Sequence, residues 1–74
     1  MNSKLFLNKE IYDLKCIHTA IQAYSQLASI KCIANECGWI CTFERCVYDI
    51  DLTIKEFENY LIGMMNRRLV NADM

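Results

Sequence analysis

Residues 29–48 read SIKCIANECGWICTFERCVY, and the fold turns on how this stretch divides. Two runs rich in β-branched and aromatic residues, about Ser29 to Glu36 and about Trp39 to Tyr48, flank Cys37–Gly38. With those two as turn residues, Glu36 pairs with Trp39, Ala34 with Cys41, Cys32 with Phe43 and Ile30 with Arg45. Side chains alternate across a strand, so Ile30, Cys32, Ala34, Trp39, Cys41 and Phe43 then share one face. That face is apolar throughout, as a core face should be. The opposite face carries Lys31, Ile33, Asn35, Ile40, Thr42, Glu44, Cys46 and Tyr48, and is more apolar than a fully solvated face requires. A two-residue turn asks Cys37 for a positive φ, which a side chain disfavours. A looser loop in the same register is the alternative.

Working outward, Lys4 to Asn8 reads as a short strand with Leu5 and Leu7 on one face and Phe6 on the other. Asp13 is a good N-cap. The helix it opens covers about Leu14 to Leu27, with the stripe Leu14, Ile17, Ile21, Tyr24 and Ala28 widened by Ala20 and Leu27. Beyond the hairpin, Leu52–Thr53–Ile54–Lys55–Glu56–Phe57 reads as a second helix start. Thr53 caps, Glu56 reaches back to complete a capping box, and Leu52 and Phe57 are placed as a hydrophobic staple. This helix covers about Ile54 to Leu69 on the stripe Ile54, Phe57, Leu61, Met64 and Arg68, and residues 71–74 read as a frayed tail. The order β-α-β-β-α predicts one small α+β domain over residues 1–74: a three-stranded sheet with two helices on one face. If the topology follows a ferredoxin-like half, strand one lies beside strand three and its outer edge is free.

Composition narrows the function. The chain has 74 residues, 54% of them apolar and 23% charged, with a net charge of −1. That is too apolar for disorder. It is also too evenly charged for a nucleic-acid surface; Arg67 and Arg68 read as complements to a helix C-terminus. No apolar run approaches the roughly 20 residues of a membrane span. The apolar residues at the start meet Asn8, Lys9 and Glu10 too soon for a signal-peptide core, so the expected compartment is the cytoplasm.

Five cysteines, Cys16, Cys32, Cys37, Cys41 and Cys46, cannot pair completely within one chain. In a reducing compartment most act as small buried hydrophobes. The alternative is a cysteine-rich metal or redox protein, with Cys37, Cys41, Cys46 and His18 as candidate ligands. Their spacing is not that of a zinc knuckle, and on one strand Cys37 and Cys41 stand about 13 Å apart at ~3.3 Å per residue. No Cys-x-x-Cys pair is present for redox work. His18, one step off the first helical stripe, reads as a boundary residue. Glu56 and Glu58 point apart on their helix and form no acid-base pair. Neither a Ser-His-Asp arrangement nor a Gly-rich phosphate loop can be placed. The expectation is a chain that is not an enzyme and takes no cofactor.

Two stretches carry a family resemblance. Glu56–Phe57–Glu58–Asn59–Tyr60–Leu61, followed by Arg67, is similar to the Glu-Phe-x-Asn-x-Leu end of small HxsD-like proteins. Ile11–Tyr12 ahead of a helix carrying Ile17, Ala20, Ala23 and Tyr24 also resembles that family, which is associated with radical-SAM systems that mature His-Xaa-Ser-rich peptides. The chain departs from the family in its cysteine load and in lacking a charged, Gly-rich hairpin tip. The resemblance implies an accessory or peptide-engaging protein beside a maturase, with no catalytic residue to carry over.

Both lines lead to the same expectation: a small interaction module that dimerises or binds a protein or peptide through a sheet edge or face, without nucleic acid or membrane. The partner residues it names are Leu5 and Leu7 on strand one, and Ile33, Ile40 and Tyr48 on the outer face. A third reading makes the chain itself a modified precursor with nucleophilic thiols.

Overall fold

A computed structural model describes residues 3–73, with side chains described for residues 3–66. The elements run β1 (Lys4–Asn8), α1 (Leu14–Ala23), β2 (Ser29–Ala34), β3 (Gly38–Glu44) and α2 (Ile50–Asp73). This is the α+β order expected. The sheet order is β1-β3-β2, with both outer strands antiparallel to β3, so strand one does lie beside strand three.

The hairpin keeps its predicted faces but not its predicted register. Ala34 pairs with Trp39, Cys32 with Cys41 and Ile30 with Phe43, two residues from the tight-turn pairing. A shift of two leaves every side chain on its face, whereas a shift of one would have inverted the sheet. The cause is Asn35. Its Oδ1 accepts from the backbone N–H groups of Cys37 and Gly38, both at 2.8 Å. Its own N–H donates to the Gly38 carbonyl at 2.8 Å. The side chain thus builds an Asx turn, and Cys37 has no need of a positive φ. Among the described non-glycine residues only Arg45 has one, at 54°. That left-handed step ends β3 at Glu44, so Cys46 and Tyr48 leave the sheet rather than extending its outer face. Val47 N–H donates to the Leu27 carbonyl at 2.8 Å and ties down the connection that follows.

The helix ends also differ from the sequence expectation. Asp13 caps α1 as predicted, its side chain accepting from Lys15 N–H. The helix stops at Ala23: Tyr24 leaves the helical region (φ −98°, ψ 7°), and the next bond tightens to Ser25 N–H on the Gln22 carbonyl at 3.2 Å. α2 starts one turn earlier than Thr53 implied. Asp49 is the cap: its Oδ2 accepts from Leu52 N–H at 3.1 Å and its carbonyl from Thr53 N–H at 2.9 Å. Thr53 is buried inside the first turn, where its hydroxyl donates to that same carbonyl at 2.8 Å. There is therefore no capping box at Thr53 and Glu56. The helix continues past Leu69 to Asp73, where a loose tail was expected from residue 71. Met74 and the side chains of Arg67 and Arg68 lie outside the described residues.

Both helices cover the same sheet face. Leu7, Ile30, Cys41 and Phe43 from the sheet meet Cys16, Ile17 and Ala20 of α1 and Phe57 and Leu61 of α2 in one core. Phe57 stands edge-on to Phe43 at 5.2 Å and to Tyr24 at 5.6 Å, and Tyr24 stands edge-on to Tyr60 at 5.6 Å. Each such pair adds about 1 kcal/mol beyond area burial. The Tyr24 hydroxyl donates to the Glu56 backbone carbonyl at 3.1 Å, fixing the end of α1 against α2. Met64 and Met65 pack at the margin, as gap-fillers.

Candidate interaction site

The sheet face away from the helices carries a bar of three apolar side chains. Phe6 on β1 is opposite Ile40 on β3, and Ile40 is opposite Ile33 on β2, so the bar crosses every strand. Phe6 is 50% exposed and Ile33 63%, with Ile40 partly covered between them. One flank is the row Lys4, Thr42, Lys31; the other is Asn8, Gly38 and the hairpin loop. Lys31 Nζ approaches Glu44 Oε1 at 3.7 Å across the β2–β3 pair, a solvated contact of well under ~1 kcal/mol that orders the rim more than it stabilises it. An apolar centre inside a polar rim is the composition of a docking surface.

The ladder bonds show which backbone groups remain at the edges. Phe43 N–H donates to the Ser3 carbonyl and Lys9 N–H to the Cys37 carbonyl. By the antiparallel alternation, Phe6 and Ile40 are a non-hydrogen-bonded pair, with side chains close and the Phe6 peptide groups turned outward. The end of the β1 edge is closed, because the Asn8 carbonyl accepts from Ile11 and Tyr12 N–H groups at 3.1 and 2.9 Å. The same alternation, set by Asn35 N–H on Gly38, turns the peptide groups of Ile30, Cys32 and Ala34 toward the outer side of β2. No described strand lies there. The longer uncovered edge is thus that of β2, not β1.

The partner residues named from sequence are divided by the fold. Ile33 and Ile40 lie in the bar. Leu7 is fully buried in the core and offers nothing to a partner, and Leu5 packs partly against the same core. The alternation that put Phe6 on the opposite face was the signal that Phe6, not Leu5 or Leu7, is the β1 side chain exposed on the open face. Tyr48 is 65% exposed, but in the β3–α2 connection beside the exposed Val47. Trp39 lines a shallow groove with Ile11, Tyr12 and Leu14.

The candidate metal ligands do not converge: among the described residues no three His, Cys, Asp or Glu side chains lie together. Cys37 is exposed in the hairpin loop, Cys41 is buried, Cys46 follows β3 and His18 is exposed on α1. The register instead sets Cys32 directly against Cys41. Burial, and then the neighbouring Cys32, push the Cys41 thiol up to about 12. Burial, and then Glu58, raise Tyr12; burial, and then Glu56 and Tyr60, raise Tyr24. No helix among the described residues is long and apolar enough to cross a membrane.

Comparison with protein-family models, with curated proteins and with solved structures finds no match for this chain.

Proposed function

We infer that the chain is a small, non-catalytic interaction module of the cytoplasm whose uncovered sheet face docks a second copy or a peptide. The bar Phe6–Ile40–Ile33 carries this reading. A three-stranded sheet that buries one face in a full core has no folding need for three aligned apolar side chains on the other. The β2 edge beside the bar adds peptide groups for strand addition, so that main-chain bonds would supply affinity and the bar selectivity. The resemblance to HxsD-like proteins supplies a setting, in which the partner is a precursor peptide or its maturase.

The test is sedimentation of the reduced protein over rising concentration, followed by amide-shift titration with a synthetic His-Xaa-Ser peptide. Dimerisation lost in Ile33→Lys, or shifts at Phe6, Ile33 and Ile40, supports the reading. A monomer whose shifts fall on the helices alone, with the three sheet residues silent, rejects it.

A further inference from the structure

Cys32 and Cys41 are register partners on β2 and β3. The Asn35-to-Gly38 bond makes that pair hydrogen-bonded, so counting back along the ladder leaves Cys32–Cys41 a non-hydrogen-bonded pair. Such pairs bring Cα atoms to about 4.5 Å with side chains closest together. That is inside the ~4.4–6.8 Å range across which disulfides close. Cys32 is partly exposed on the edge strand, while Cys41 is fully buried in the central one. Neither Cys37, in the loop, nor Cys46, past the end of β3, has a cysteine as its ladder partner.

We propose that Cys32 and Cys41 are a redox site, closing a reversible cross-strand disulfide by exchange with a small disulfide such as oxidised glutathione. The Cys32 thiolate, the one an oxidant can reach, attacks one sulfur of that disulfide and expels the first glutathione thiolate. This leaves a mixed disulfide on Cys32. Cys41 then gives up its proton to water and attacks Cys32 Sγ, expelling the second glutathione thiolate. The protein loses two hydrogens and two electrons, and the oxidant leaves as two thiols. Burial of Cys41 keeps its thiol protonated, so the second step is the slow one and the mixed disulfide accumulates first. The product ties the edge strand to the centre one residue pair away from Ile33 and Ile40. This site stands whether or not the outer face has a partner.

The test treats the reduced full-length protein with oxidised glutathione, quenches with acid, alkylates the remaining thiols and reads the intact mass. The expected product lacks two hydrogens, takes three alkyl groups in place of five (the five cysteines less the bridged two), and reverts with dithiothreitol. Cleavage after Lys31 and Glu36 separates Cys32 from Cys16 on one side and from Cys37 and Cys41 on the other, and Cys37→Ser tells the last two apart. Cys41→Ala is expected to stop at one glutathione on Cys32. The Cys37→Ser map decides the matter even if Cys41→Ala fails to fold, since Cys37 is exposed in the loop. A bridge through Cys16, Cys37 or Cys46, or a mixed disulfide that never resolves, overturns the proposal.

Discussion

Gly38 leaves no room for a side chain against the Leu7 carbonyl: a Cβ added there would overlap that oxygen and come within 2.9 Å of Lys9 N and 3.0 Å of Asn8 Cα. All three obstacles are backbone, which cannot rotate away. The position needs glycine for space, because its φ is not positive. Gly38→Ala should therefore push β1 off β3 and cost about 3 kcal/mol, read as a lower urea midpoint. A cost below about 0.5 kcal/mol would mean that the strands are further apart than described. Gly63 is the control, since nothing lies within 4 Å of a Cβ there. Gly63→Ala should stabilise its helix by up to ~1 kcal/mol.

Asn35 is the residue that sets the hairpin register. Asn35→Ala removes the acceptor of two backbone N–H bonds and should cost about 1–2 kcal/mol. Asn35→Asp keeps an acceptor in place and should recover most of the loss. Equal losses in both variants, by chemical denaturation, would place the register elsewhere.

The start of α2 separates two caps. Asp49→Ala removes the side-chain acceptor of Leu52 N–H and should cost about 1 kcal/mol. Thr53→Val removes a hydroxyl whose acceptor is still bonded by Thr53 N–H, so its effect should stay under about 0.5 kcal/mol. A larger loss for Thr53→Val than for Asp49→Ala would restore Thr53 as the cap.

The pH dependence of stability follows from Cys41. Its thiol moves from an ordinary 9.0 to about 12 in the fold, because burial opposes the thiolate. The unfolded chain therefore releases this proton first. The contribution is complete below pH 9.0 and declines as pH rises towards 12. In the presence of reductant, the loss of unfolding free energy across that window should be a few kcal/mol, with ~4 kcal/mol as the upper bound before solvent screening is allowed for. Cys41→Ala should flatten the slope whatever it does to the absolute stability. The raised Tyr12 and Tyr24 act in the same direction and remain in both proteins as background. An unchanged slope in the variant would remove Cys41 as the cause.

The outer bar makes a contrast between stability and association. Phe6→Lys and Ile33→Lys change half-exposed side chains and should each shift stability by under about 1 kcal/mol while weakening association at least tenfold. Leu7→Ala, one residue along β1, should cost about 3 kcal/mol and act on the core instead.

The architecture was legible because alternation in β1, β2 and β3 and the stripe in α1 are period signals, and periods survive errors of boundary. Leu5, Leu7, Ile30, Cys41 and Phe43 fell on the face they occupy. The boundaries failed where one side chain redirected the backbone. Asn35 widened the hairpin, Arg45 ended β3 in a left-handed step, and Asp49 capped a helix whose start the Thr53/Glu56 pattern put one turn late. The Cys32–Cys41 pair was hidden for the same reason, since it exists only in the register that Asn35 sets. The open face was half legible: Ile33 and Ile40 were placed on it by pattern, whereas Leu7 was offered to a partner on the face that the helices cover.

The central place of β3 also governs how the chain is made. Among the described residues β1 and β2 pair only with residues 38–44, so neither finds a partner until β3 has left the ribosome. At roughly 5–20 residues per second, β1 and α1 wait seconds as an unpaired strand and a helix with no sheet to cover. Nascent chains stalled just before Gly38 should be protease-sensitive throughout, and protection should arrive in one step after α2 emerges.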